Sequence, residues 1–284
     1  MPDAPAPPPV AFFAADGDGF TPQPASRSRW SDDMVTGPAV CGIIARGLDR
    51  QHHAEGFVPS RLTVDLFRPV RSRHLTISTR LVREGRRIRV ADAELVQDGE
   101  TVARASLVLL RSSVAPPGEV WTSPHRLTGP SAEARAAAGQ LVAPWFGSGD
   151  DGPGWTPSIA DHQGAARKRM WTRMPQLVLG EEPSPFTRAA MSGEITSMMT
   201  NWGTHGVGYI NADLTLALTR LPVGLEIGVE AADHISADGI AVGSATLYDE
   251  LGPIGSTIVI ALANAQRQVD ISETPALGRV VADE

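Results

Sequence analysis

Asp213 opens a stretch that alternates strictly, with Leu214, Leu216 and Leu218 on one face and Asp213, Thr215 and Ala217 on the other. A carboxylate at the start of such a strand can reach a cleft beside the sheet and serve as a base toward water, although most strand-end carboxylates are simply solvated. Two helix starts, Gly37-Pro38 and Ser184-Pro185, each combine an N-cap residue with proline at the first helical position. A helix N-terminus offers unpaired N–H groups and a partial positive charge, the donors that a developing oxyanion requires. Other chemistries find no support. His52 and His53 are adjacent, so neither helix nor strand aims both at one metal, and HExxH and cysteine-pair spacings do not occur. The Asp16-Gly17-Asp18-Gly19 run lacks the remaining ligands of a calcium loop and reads as a turn. No Gly-x-Ser-x-Gly elbow or Walker loop is found, and Cys41, between Val40 and Gly42, reads as a small core residue.

The elements that must position these groups occur twice. At an offset of 152 residues, Leu62, Thr63, Leu66 and Arg68 fall on Leu214, Thr215, Leu218 and Arg220. The register continues without insertion, Ile88, Val90, Ala93, Leu95 and Val102 falling on Ile240, Val242, Ala245, Leu247 and Ile254. A period this long means a duplicated domain and not a solenoid. In each copy a helical spacing comes first: Val40, Ile43, Ile44, Leu48 in one, Met191, Ile195, Met198, Met199, Trp202 in the other. Alternating strands follow, separated by turn signals such as Asp98-Gly99 and Asp238-Gly239. Short apolar stretches before each helix, Val10 to Phe13 and Met170 to Met174, supply one more strand apiece. The expected organisation is a first domain over 10–111, a linker over 112–165, a second domain over 166–265 and a tail over 266–284. The linker is rich in Pro, Gly, Ser and Ala; a short helix is expected within 131–142, and Trp121, Trp145 and Trp155 are expected to pack it onto the domains. One strong helix per copy followed by a mostly antiparallel sheet is an α+β layer arrangement.

The 284-residue chain carries a formal charge of −7 and 42% hydrophobic residues, which excludes a disordered polyanion and a generally basic nucleic-acid binder. A single cysteine rules out an internal disulfide and fits a reducing compartment, with the cytoplasm as the default. The first ten residues lack the basic and apolar regions of a secretory signal and read as a frayed arm. The longest late apolar run, Ile258 to Ala263, is far below the ~20 residues that cross a bilayer. Lys168 is the only lysine among 25 basic residues, and positions 61 to 111 hold 11 arginines against 6 acids. Such a stretch suits a phosphorylated small molecule, or is a solvated sheet face.

The stretch NADLTLALTRLPVG (211–224) followed by ADGIAVGSATLYDELGPIGS (237–256) resembles the second half of the double hotdog acyl-CoA thioesterases, the group that contains bacterial acyl-CoA thioesterase II and its actinobacterial relatives. The shared features are an Asp before a strand, Arg-x-Pro-x-Gly after it and a Tyr-Asp-x-x-Gly hairpin. The resemblance implies two tandem hotdog domains, each a helix wrapped by an antiparallel sheet, and hydrolysis of a fatty acyl-CoA to free acid and CoA. It places the water-orienting carboxylate on Asp213, whose counterpart in the first half is Arg61. Where that family carries Thr and Gln, this chain has Ala232-Asp233 and Val259. Asp233, His234 or Thr257 are the polar substitutes at hand, and Glu194, matched by Gly42 in the first helix, sits where related single hotdog thioesterases use a helix carboxylate. Without the resemblance, Glu194 reads as an exposed helix-face residue. Oxyanion donors are assigned to the helix starts at Gly37 and Ser184. Cationic anchors for the CoA nucleotide are sought among Arg71, Arg73, Arg83, Arg86 and Arg87. Met191, Met198 and Met199 line an acyl tunnel or fill the core. No cofactor, metal or nucleic acid is called for, and a homodimer of double hotdogs is compatible with the sequence. The alternative function is a non-catalytic acyl-CoA or lipid-binding hotdog protein without the water site; a hydratase would need an Asp and His signature that is not found.

Overall fold

The computed structural model describes residues 10–139, 141–149, 154–270 and 280–281. The proline-rich arm before residue 10 and most of the tail lie outside them. The first half contains β1 (Ala11–Asp16), β2 (Gly19–Pro22), α1 (Gly37–His52), β3 (Phe57–Leu66), β4 (Thr76–Glu84), β5 (Ile88–Gln97) and β6 (Glu100–Arg111). After a connecting segment come β7 (Trp145–Ser148), β8 (Lys168–Arg173), β9 (Gln176–Val178), α2 (Pro185–Glu194) and α3 (Thr196–Asn201). The second half closes with β10 (Tyr209–Asn211), β11 (Asp213–Leu218), β12 (Glu226–Ala237), β13 (Ile240–Asp249) and β14 (Gly252–Ala263). Helix plus antiparallel sheet, twice, is the α+β double hotdog.

Among the described residues one sheet of eleven strands spans both halves, in the order β4-β5-β6-β3-β11-β14-β13-β12-β8-β7, with β10 also on β14. The halves join edge to edge where β3 pairs antiparallel with β11: Val64 opposite Leu214, Thr63 opposite Thr215, Leu62 opposite Leu216. Thr63 and Thr215 are also equivalent positions of the repeat, so a pseudo-two-fold axis passes through that pair. Leu62, Val64, Leu214 and Leu216 are fully buried beneath it, which is the reason the alternation had to be in phase in both copies. The β5–β6 and β12–β13 hairpins turn at Asp98-Gly99 and Asp238-Gly239, all four residues at positive φ, as a two-residue turn matched to strand twist demands.

The helices lie side by side against the sheet. From Ala39 to Ala45 α1 is buried on every side, more than an amphipathic surface helix would be, because α2 covers what the sheet does not. Gly42 makes this approach possible: a Cβ there would stand 2.5 Å from Met191 Cγ. The pair runs antiparallel, so the start of each helix meets the end of the other. β1 and β9 add a parallel link between the halves, Ala11 opposite Gln176 and Phe13 opposite Val178.

The segment over 112–165 is more than a linker. Its residues 145–148 form β7, hydrogen-bonded to β8 at the edge of the main sheet. A short helix occupies Ala132–Ala137, with Ser131 Oγ accepting the Ala134 N–H at 3.2 Å. Trp145 is buried and Trp155 stacks edge-on against Trp171, whereas Trp121 is 83% exposed. The helical spacing read through Trp202 is broken in two: Ile195 separates α2 from α3.

Candidate active site

Thr36 is the N-cap of α1, in extended conformation and with no side-chain bond to the helix. Ala39 and Val40 donate to the Thr36 carbonyl and Pro38 has no N–H, so the Gly37 N–H is the donor left without a partner among the described residues. No acidic residue occupies the first turn of α1. The carboxylate arrives from the other half: Glu194, the last residue of α2, lies against Gly37 so closely that a Cβ on the glycine would be 1.9 Å from its Oε1. Glu194 is 7% exposed, and Asn211 Nδ2 donates to its Oε1 at 3.1 Å. Burial pushes its carboxyl up to about 8, the Asn211 bond pulling the other way. Burial, and secondarily the Glu194 charge, also raise the Cys41 thiol well above its ordinary range, so this cysteine is an inert core residue.

Gly37, Glu194 and Asn211 stand in the wall of a cavity of about 720 Å³ between the two halves. Its apolar lining includes Phe12, Trp30, Met34, Met170, Met174 and Met198. Of the three methionines expected in a tunnel only Met198 contributes; Met191 and Met199 are core. The exposed helix-face reading of Glu194 is wrong because α1 covers that face. It was the helix-to-helix contact, invisible in a linear repeat, that buried it.

The opposite end of the helix pair is chemically different. Ser184 caps α2 by accepting the Thr187 N–H at 3.2 Å and donates to Asp49 Oδ2 at 2.6 Å. The tenth residue of α2 is Glu194 and the tenth of α1 is Arg46, which forms a two-pronged ion pair with Glu181 at 2.7 and 2.8 Å. Only about 80 Å³ of space remains there. Gly37 and Ser184 therefore do not share a site, and one corner of the pseudo-symmetric molecule is open while the other is bolted.

Asp213 lies two residues from Asn211, whose Nδ2 also approaches the Asp213 carbonyl at 3.3 Å. Its side chain takes another direction. The pairing of β14 slips by one residue between Asn211–Ala261 and Thr215–Ile258, and Asp213 Oδ1 accepts the Ile260 N–H at 2.6 Å within that bulge. The carboxylate is half-buried and held above its usual range by desolvation, with Asp65 adding to the rise. Asp213 is not part of the cavity wall. Asp233 is exposed and accepts the His234 N–H at 2.8 Å, and His234 stacks edge-on with Tyr209. Val259 is fully buried in the core, where Thr257 meets Thr196. Arg83, Arg86 and Arg87 belong to edge strand β4 and its exposed turn, away from the cavity, while Arg71 and Arg73 pair with Asp33 and Asp98. The arginines that do line the cavity are Arg27, Arg29, Arg68 and Arg173.

Residues 26–110 match the acyl-CoA thioesterase N-terminal domain and residues 114–259 match the acyl-CoA thioesterase C-terminal domain. The chain belongs to the acyl-CoA thioesterase family. It is by that membership a thioester hydrolase acting on acyl-CoA. Among solved structures it is similar to a tesB protein of Mycobacterium avium subspecies paratuberculosis, at 18% identity and a TM-score of 0.59 over 88% of this chain and 95% of that one. An acyl-CoA thioesterase II from Mycobacterium marinum aligns at 11% identity and 0.58, over 80% and 90% of the two chains. A hot dog fold protein from Alicyclobacillus acidocaldarius aligns at 14% and 0.58, over 89% and 96%. No curated protein matches in sequence. These likenesses establish the hotdog architecture in both halves of the thioesterase. Among its described residues no helix is long and apolar enough to cross a membrane.

The thioesterase's Asn211 carried no signal of its own beyond its place in the recognised stretch. Nor did sequence spacing single out Arg29 or pair Glu194 with Gly37; both depend on contacts between the copies.

Proposed function

We propose that the chain hydrolyses a fatty acyl-CoA in the cavity between its halves, with Glu194 as general base and the Gly37 N–H as oxyanion donor. The observation that carries this reading is the placement of the Glu194 carboxylate directly over the start of α1. Glu194 removes a proton from water, and the resulting hydroxide adds to the thioester carbonyl carbon. The carbonyl oxygen takes up the negative charge and is met by the Gly37 N–H and the positive end of the α1 dipole. As the carbonyl re-forms, the C–S bond breaks, and the proton held on Glu194 passes to the departing CoA sulfur. Asn211 fixes one carboxylate oxygen so that the other faces the water. Asp213 holds the bulge that presents Asn211.

The family resemblance puts the water-orienting role on Asp213 instead, and kinetics separates the two. Thiol release from an acyl-CoA, followed over roughly pH 6 to 10, should give a kcat/KM that rises with an apparent pKa near the Glu194 value, in the wild type and in Asp213→Asn alike. A loss of about a hundredfold or more in Asp213→Asn, with that rising limb unchanged in Glu194→Gln, moves the base to Asp213.

A further inference from the structure

Three of the four arginines in the cavity wall lack a counter-charge among the described residues. Arg68 pairs with Glu100, but Arg27, Arg29 and Arg173 have no carboxylate within ion-pair distance among the described residues. Among the described residues Glu194 is the only acidic one in the wall, and its near oxygen is occupied by Asn211. Arg29 is the extreme case. Its Nη1 is shielded from solvent and has no hydrogen-bond partner among the described residues. Arg29 as a whole is only partly buried, and desolvation lowers its pKa from the ordinary arginine value. A buried guanidinium nitrogen left unsatisfied is costly, and the backbone does not let it escape. The loop that carries it is closed by Ser28 N–H to Met34 O at 2.7 Å and Thr36 N–H to Ser26 O at 2.7 Å, and anchored by Val35 N–H to Val70 O at 2.8 Å. That same loop leads directly into Gly37.

We propose that Arg29 is an anion receptor of the substrate cavity, pairing with an oxyanion of the thioester substrate and thereby setting its specificity. The guanidinium fork suits a carboxylate or a phosphate. The anion is therefore either a carboxylate at the far end of the acyl chain or a phosphate of the CoA carrier. This inference rests on the cavity being the thioester site, and the test keeps the two apart.

The test uses octanoyl and suberyl thioesters, each on CoA and on pantetheine, with wild type, Arg29→Met and Arg29→Lys. Replacing a charge-assisted pair by an apolar side chain should lower kcat/KM at least about tenfold for the substrates that carry the anion, with Arg29→Lys recovering part of it. Loss confined to suberyl thioesters on both carriers assigns Arg29 to an acyl carboxylate. Loss with both CoA thioesters and neither pantetheine thioester assigns it to a carrier phosphate. Because the Arg29 side chain makes no hydrogen bond or ion pair to the described residues, the melting temperature of Arg29→Met should not fall. Unchanged kinetics on all four substrates, or an equal loss on all four with a lowered melting temperature, overturns the proposal. Should the wild type hydrolyse none of them, the reading of the site fails; calorimetry of suberate and CoA with wild type and Arg29→Met then decides Arg29 separately. Weaker binding of either probe to the variant supports the receptor, and equal binding of both overturns it.

Discussion

A carboxyl group lifted by burial to about 8 from an ordinary 4.5 couples the site to the stability of the fold. Between those values the folded protein holds a proton on Glu194 that the unfolded chain has released. The stabilisation is therefore complete below about pH 4.5 and is lost as pH rises toward 8, after which it stays constant. Glu194→Gln removes this dependence. Its melting temperature should exceed that of the wild type by an increment that grows from pH 4.5 to 8, on the order of several degrees at the upper end; an increment independent of pH contradicts the burial argument. Gly37 has a complementary constraint, since any side chain there enters the Glu194 carboxylate. Gly37→Ala should cost about tenfold or more in kcat by displacing that carboxylate, and wild-type turnover in this variant would place the catalytic groups elsewhere.

At the scale of elements, what was legible is what local pattern encodes. The leucines of β11, the in-phase alternation of β3, the turns at Asp98-Gly99 and Asp238-Gly239 and the proline-marked starts of α1 and α2 all fold as their spacing requires. Features that depend on one element meeting another were not legible. Sequence offset matched Glu194 with Gly42, while position along the helices matches it with Arg46, because the copies differ in length before the strands begin. The bulge that turns Asp213 toward Ile260 is a one-residue slip of pairing that alternation alone conceals. Helix packing has its own test. Gly42→Val would push into Met191, where α1 and α2 pack against each other and both residues are buried. Denaturant unfolding should show a loss of about 1–3 kcal/mol, with activity reduced because Gly37 and Glu194 belong to these two helices. A variant of unchanged stability would mean that the helices are not held at this distance.

On the scale of the whole molecule, duplication has been used asymmetrically. Both helix pair ends have a helix start and a tenth-position side chain, yet one has become a cavity with a carboxylate and the other an ion-paired joint of Arg46, Glu181 and Asp49 with Ser184. The proposed mechanism implies one catalytic site per chain, with its donor in the first half and its base in the second. Each half alone would expose the β3 or β11 edge and the leucines beneath it, so neither is expected to be an active soluble unit. Residues 10–130 and 131–284 produced together should recover thiol release from acyl-CoA that neither shows alone; activity in a single half would refute the shared site. The most direct measurement is made on the intact chain: steady-state acyl-CoA hydrolysis by Glu194→Gln at saturating substrate. The structure predicts a fall in kcat of about a hundredfold or more with the substrate still bound. Turnover within a few-fold of the wild type would contradict the assignment of the base, and with it the site.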